Sequence, residues 1–148
     1  MHPVFAPGRF EGLEHHFVLR VYFEDTDLSG VVYHANYLRF MERARSDMLA
    51  LAGVDQRAVH EAGVGAYALR EANVRFRAPA RLSDELVVVS RLVRLRPAAV
   101  DIHQRVMREL TIVAEAEVEA VFVAPSGRPR RQPAEWMERF APLVSKGN

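Results

Sequence analysis

The sequence predicts an α+β domain in which an antiparallel sheet packs on one central helix. Three observations carry this. Residues 37–52 repeat apolar side chains at helical spacing, and no second segment of that length does so. Four later segments, at about 67–77, 86–95, 100–108 and 110–123, follow one another as strands with only turns between them. The last of these reads TIVAEAEVEAVFV, rich in the Ala and Glu that helices favour. Yet Ile112, Ala114, Ala116, Val118, Ala120 and Phe122 alternate with Glu115, Glu117 and Glu119, and period two means strand. Strands alternating with helices, the mark of a doubly wound parallel sheet, are absent.

Taken in order, residues 16–24 alternate, with Phe17, Leu19, Val21 and Phe23 on one face and His16, Arg20 and Glu24 on the other, which predicts a first strand. It runs into EDTDLSG, a cluster of turn and capping residues with Gly30 as the bend. In the helix, Tyr37, Met41, Ala44, Met48 and Leu51 recur at spacings of four and three. Asn36 stands where an N-cap accepts an orphan amide, and Gly53 where a left-handed residue closes the last turn. Arg45 falls inside the apolar arc, either snorkelling at its edge or held as a partnered buried charge.

Pro79 and Pro97 cannot donate to a central ladder and mark strand ends. The strand at 86–95 is apolar on both faces, so it needs cover on both, from the helix on one side and a second subunit on the other. APSGRPRRQP is a basic loop, and AEWMERFAPLV a short amphipathic helix that packs Trp136, Met137 and Phe140.

The chain has 148 residues, 49% of them hydrophobic, enough for one domain with a core at about 15–133 and too few for two. Lys plus Arg number 20 against 19 Asp plus Glu, so no overall field points to nucleic acid or an acidic membrane. Without cysteine there is no disulfide frame, thiolate metal site or cysteine nucleophile. No apolar run approaches the roughly 20 residues that span a bilayer, and the N-terminus lacks the pattern of a secretory signal, so a cytoplasmic protein is expected. His2, His15, His16, His60 and His103 are scattered, and His34 with Asp27 lacks a third ligand, so no metal is expected.

Residues 24–37, EDTDLSGVVYHANY, hold the chemistry. A helix that starts near Tyr37 leaves its first amides unpaired and presents a partial positive charge, suited to a carbonyl oxygen gaining negative charge. A carboxylate on the same loop could attack that carbonyl or deprotonate a water beside it. Asp25 and Asp27 are equally suited to plain turn and capping roles, and His34 to packing or hydrogen bonding.

RVYFEDTDLSGVVYHANYLRFMERARSDML at 20–49, continued by VRFRAPARLSDELVV at 74–88 and by a Gly-Arg-Pro turn after the last strand, resembles the hotdog-fold acyl-CoA thioesterases. The resemblance is to the Tol–Pal-associated subfamily and its relative 4-hydroxybenzoyl-CoA thioesterase, and extends to about Pro133. It implies a curved antiparallel sheet of about five strands wrapped around the long helix. It implies hydrolysis of an acyl-CoA to free acid and coenzyme A, without cofactor, by Asp27 as nucleophile or general base. The carbonyl would be polarised by backbone amides of Tyr33 and His34, the ring of His34 remaining open as a second contributor, while Asp25 supports the loop.

Family members are dimers joined edge to edge with the active site between subunits, and pairs of dimers are common. A homodimer or homotetramer is therefore expected, with acyl carrier protein an alternative carrier of the thioester. Coenzyme A phosphates would need local cations, for which Arg91, Arg94 and Arg96 on one strand end and Arg128, Arg130 and Arg131 in the basic loop are candidates. Two other readings stand beside hydrolysis: a hydratase or dehydratase of acyl thioesters, and a non-catalytic scaffold that binds an acyl thioester or a partner.

Overall fold

The computed structural model describes residues 8–145, so His2 lies outside them. Six strands form one sheet: β1 (Gly8–Glu11), β2 (Glu14–Arg20), β3 (Ala66–Phe76), β4 (Glu85–Leu95), β5 (Ala99–Arg108) and β6 (Thr111–Val123). Their order is β1-β2-β4-β5-β6-β3, with every neighbouring pair antiparallel. Register shifts interrupt β3 after Leu69, β4 after Leu92 and the β5–β6 pairing after Val106, and such bulges bend and twist a sheet. The long helix α1 (Asn36–Leu51) lies on one face and buries Tyr37, Phe40, Met41, Ala44, Met48 and Leu49. Two short helices follow, α2 (Gln56–Glu61) and α3 (Ala134–Phe140), the latter burying Trp136 and Phe140.

The α+β architecture and β6 as a strand agree with the sequence pattern, and Gly53 adopts φ +87° after the helix. Four details differ. The sheet has six strands rather than about five, because Gly12 at φ +63° allows β1 to fold back on β2. Strand β2 stops at Arg20, and Phe23 enters a 3-10 turn at Phe23–Asp25 with its ring exposed instead of continuing the inner face. Asn36 is not the N-cap, since Ala35 holds that place and Asn36 Nδ2 donates instead to the carbonyl of Asp25 at 2.9 Å. The linker after α1 contains α2, capped by Asp55, whose carboxylate accepts from the Ala58 amide at 3.0 Å.

The core divides in two. One cluster, with Phe17, Tyr37, Phe40, Leu86 and Val106, lies under the first half of α1; the other gathers Met48, Leu92, Ile102, Phe122, Trp136 and Phe140 under its end. Between them runs a polar row of paired positions, His15, Ser90 and Gln104, all fully buried. Gln104 Nε2 donates to Ser90 Oγ and to the Met41 carbonyl, each at 2.9 Å, and its Oε1 accepts from Arg45 Nη1 at 2.9 Å. Arg45 is thus a partnered charge, but the partner is a neutral amide. Because buried polar groups are costly unless bonded, this row fixes the level at which α1 sits on the sheet.

On the outer face of β4, Val89 is buried although no helix covers it. It stands between His16 and Arg105, and Arg105 Nη1 reaches Glu14 at 2.9 Å, so charged side chains of this chain supply that cover with their stems.

His15 Nε2 lies 2.7 Å from Asp47 Oδ2, and burial pushes the ring toward its neutral form against the pull of Asp47. His103 is shifted down as well, first by burial and then by Arg91. Both rings titrate below their ordinary 6.5 when folded, so the unfolded chain takes up protons first as pH falls through that value, and stability falls with it. The thermal midpoint is expected to be lower at pH 5.5 than at pH 7.5, and His15→Gln should flatten the slope. A midpoint level across this window would contradict the assignment.

Candidate active site

The loop between β2 and α1 is built almost wholly by its own backbone. The amide of Asp27 donates to the Val31 carbonyl at 3.0 Å, and Gly30, at φ +82°, returns its amide to the Asp27 carbonyl at 3.0 Å. Only a residue tolerant of the left-handed region closes so tight a turn. The Val32 amide donates to the Ala80 carbonyl at 2.8 Å, which anchors the loop to the segment before β4.

Asp25 and Asp27, one residue apart, do different things. Asp25 is the hub of the loop. Its Oδ2 accepts from the Tyr22 amide at 2.8 Å, and its carbonyl accepts from the Tyr33 amide and from Asn36 Nδ2, both at 2.9 Å. Asp27 is exposed, and its Oδ1 accepts from the Ser29 amide at 2.8 Å and from the Ser29 hydroxyl. Those bonds hold its carboxyl below the ordinary 3.8, with His34 adding in the same direction. Burial beside Val31 and Val32, which would have raised it, does not occur in the single chain.

Of the amides named from sequence, that of Tyr33 is spent on the Asp25 carbonyl and cannot serve an external oxygen. No acceptor among the described residues takes the amides of His34 and Ala35, which stand at the positive end of α1. The His34 ring is exposed, 4.5 Å from the Tyr33 ring and 5.9 Å from that of Phe76 at the end of β3. Tyr37, on the apolar arc of the helix, is buried, and its hydroxyl also accepts from the Ala80 amide at 3.3 Å. The start of α1 is therefore tied to the same segment as the loop.

The six candidate cations are not gathered at this loop within one chain. Strand β4 begins at Glu85, opposite Arg20 next to the loop, and runs away from it, so Arg91 and Arg94 lie roughly 20–30 Å along the strand. With Arg96 they line an outer-face cavity of about 600 Å³ that also holds Glu71, Asp101, Glu117 and Glu119. Arg96 is committed to Asp101 at 2.6 Å and Glu119 at 2.5 Å. Arg128, Arg130 and Arg131 follow β6 at that same distant end, where Arg130 Nη1 braces the Val64 carbonyl at 2.6 Å. Among the described residues no three His, Asp or Glu side chains converge as metal ligands would, and no helix is long and apolar enough to cross a membrane.

Ser29 is the site residue that sequence reading missed. Its signal was present, since a hydroxyl two residues after an Asp is the spacing at which it bonds back to that carboxylate.

Compared with known proteins, residues 21–142 match the Thioesterase-like superfamily. The Escherichia coli acyl-CoA thioester hydrolase YbgC is 40% identical over 124 residues, which cover 82% of this chain and 92% of that protein. A probable thioesterase from Bartonella henselae is 35% identical with a TM-score of 0.76, covering 81% of this chain and 99% of the other. A hypothetical protein from Thermus thermophilus, 30% identical, superposes with a TM-score of 0.80 over 86% of this chain and 98% of its own.

Proposed function

Because the chain belongs to the thioesterase-like superfamily, we propose that it hydrolyses an acyl-CoA thioester to a free acid and coenzyme A, with Asp27 as its catalytic carboxylate. One observation carries the reading: an ionised carboxylate and an unspent helix-start amide, that of His34, share one rigid loop. In the reaction the His34 amide donates to the thioester carbonyl oxygen as it gains charge. Asp27 attacks the carbonyl carbon, the C–S bond breaks and the thiolate departs. Water then cleaves the mixed anhydride and restores the carboxylate. The alternative has Asp27 take a proton from the attacking water. The carboxylate is ionised, as either step requires.

The eleven-residue β3 has its outer edge unpaired among the described residues and carries exposed Leu69 and Phe76. Antiparallel pairing of β3 with a second copy would set the Phe76 end of one strand against the Ala66 end of the other. Since Ala66 pairs with Val123, the basic loop at 128–131 of one subunit would then stand near Asp27 of its partner. This arrangement supplies the cations that one chain keeps far from the loop, with Arg128 and Arg131 free of ion pairs among the described residues.

Thiol release from a panel of short, long and aromatic acyl groups, each on coenzyme A and on acyl carrier protein, tests the function. Release from at least one is expected. A protein that hydrates an enoyl thioester and leaves the thioester intact would be a hydratase, and no release from any substrate would favour a binding scaffold.

A further inference from the structure

Arg45 is left unused by this mechanism, and it borders a cavity of about 120 Å³ between α1 and strands β3, β5 and β6. The floor is apolar, with Tyr67, Leu69 and Ile102 among its residues, whereas Glu42, Arg45 and Ser46 form one wall along α1. At about 30 Å³ for a water-sized group, the space holds roughly four such groups. The cavity opens at the N-terminal half of β3. In the edge-to-edge dimer proposed above, on which this inference rests, that half faces the Phe76 end of the second copy and hence its Asp27 loop.

Within the chain one of the five N–H groups of its guanidinium is bonded, to the neutral Oε1 of Gln104, and no carboxylate of the described residues forms an ion pair with it, while none of its nitrogens is both buried and without a partner. Glu42, three residues earlier, acts on it from beyond ion-pair distance and is itself exposed, so solvent screens it. A half-buried cation with a neutral partner gains most from an anion that enters the cavity. Gln104 is in turn held by Ser90 and the Met41 carbonyl, so Arg45 is aimed by a fixed buried row rather than left free to swing to solvent.

We propose that Arg45 selects acyl groups that end in a carboxylate: a short dicarboxylic acid, bound as its monothioester, would lay its methylenes on the apolar floor and its free carboxylate on Arg45. Arg45 is then a specificity residue for the second copy's active site.

Hydrolysis of glutaryl-CoA and valeryl-CoA, equal in carbon number, tests this in the full-length protein. The wild type is expected to favour glutaryl-CoA in kcat/KM by roughly tenfold to a hundredfold. In Arg45→Met, which keeps the stem and loses the charge, the ratio should fall to about one, and Arg45→Lys should restore part of it. A glutaryl preference that survives in Arg45→Met overturns the assignment to Arg45, and if that variant does not fold, the partial loss expected in Arg45→Lys carries the test. Equal turnover of the two thioesters by the wild type overturns the inference and leaves thioester hydrolysis standing, whereas no turnover of any thioester overturns both.

Discussion

Asp27→Asn is expected to lower kcat by roughly 10²- to 10⁴-fold, the range attributed to a positioned acid, base or nucleophile, with thioester affinity nearly unchanged. The amide of Asn has the shape of the carboxylate and can still accept from the Ser29 amide, so the turn closed by Gly30 persists. What is lost is the negative charge proposed to attack the carbonyl or to activate the water. Asp25→Asn gives the contrasting result. Its side chain makes one backbone bond, to Tyr22, while the bonds from Tyr33 and Asn36 go to its carbonyl and survive the change. Turnover within a few-fold of wild type is expected, with a modest loss of stability. Steady-state kinetics of the two variants separate the acids, and equal losses would show that the loop, not Asp27, was damaged.

The largest stability effect is expected at Phe122. Its ring is fully buried and meets Tyr67 and Trp136 edge to face, both with centroids 5.5 Å apart. It also fills the space over Gly65, where an added Cβ would come within 2.7 Å of it. Phe122→Ala therefore leaves a cavity bounded by the sheet, α3 and the linker, and should cost about 3–5 kcal/mol. At about 2–4 °C per kcal/mol for a domain of this size, the thermal midpoint should fall by roughly 6–20 °C. A fall of only a degree or two would mean that Trp136 and Tyr67 collapse into the space.

Much of this was legible in the chain because period and punctuation are local. Alternation in β6 outweighed its helix-favouring composition, and Gly30 and Gly53 marked left-handed positions that bend the loop and end the helix. The extra strand β1 was not, since GRFE offers four residues and no clear period, and it is a strand only because β2 lies beside it. Asn36 was misread as a cap because residue type alone cannot say that the Asp25 carbonyl would come within 2.9 Å of its side chain. The spending of the Tyr33 amide is likewise a tertiary fact, invisible until the loop closes. Where the candidate cations stand needed the strand order: sequence shows arginines, but only the topology shows that within one chain Arg91 and Arg94 lie along β4 away from Asp27, with the basic loop after β6 at the same end. The difference between the two acids was not legible from turn chemistry, which treats them alike. It came from the family resemblance, and their unlike hydrogen bonds now stand beside it.

A structure of Asp27→Asn with an intact acyl-CoA bound tests the arrangement most directly. The thioester carbonyl oxygen is predicted to lie about 2.7–3.2 Å from the His34 amide nitrogen, with the side chain at position 27 against the carbonyl carbon. A carbonyl turned away from the start of α1, with the His34 amide still unpaired, would contradict it.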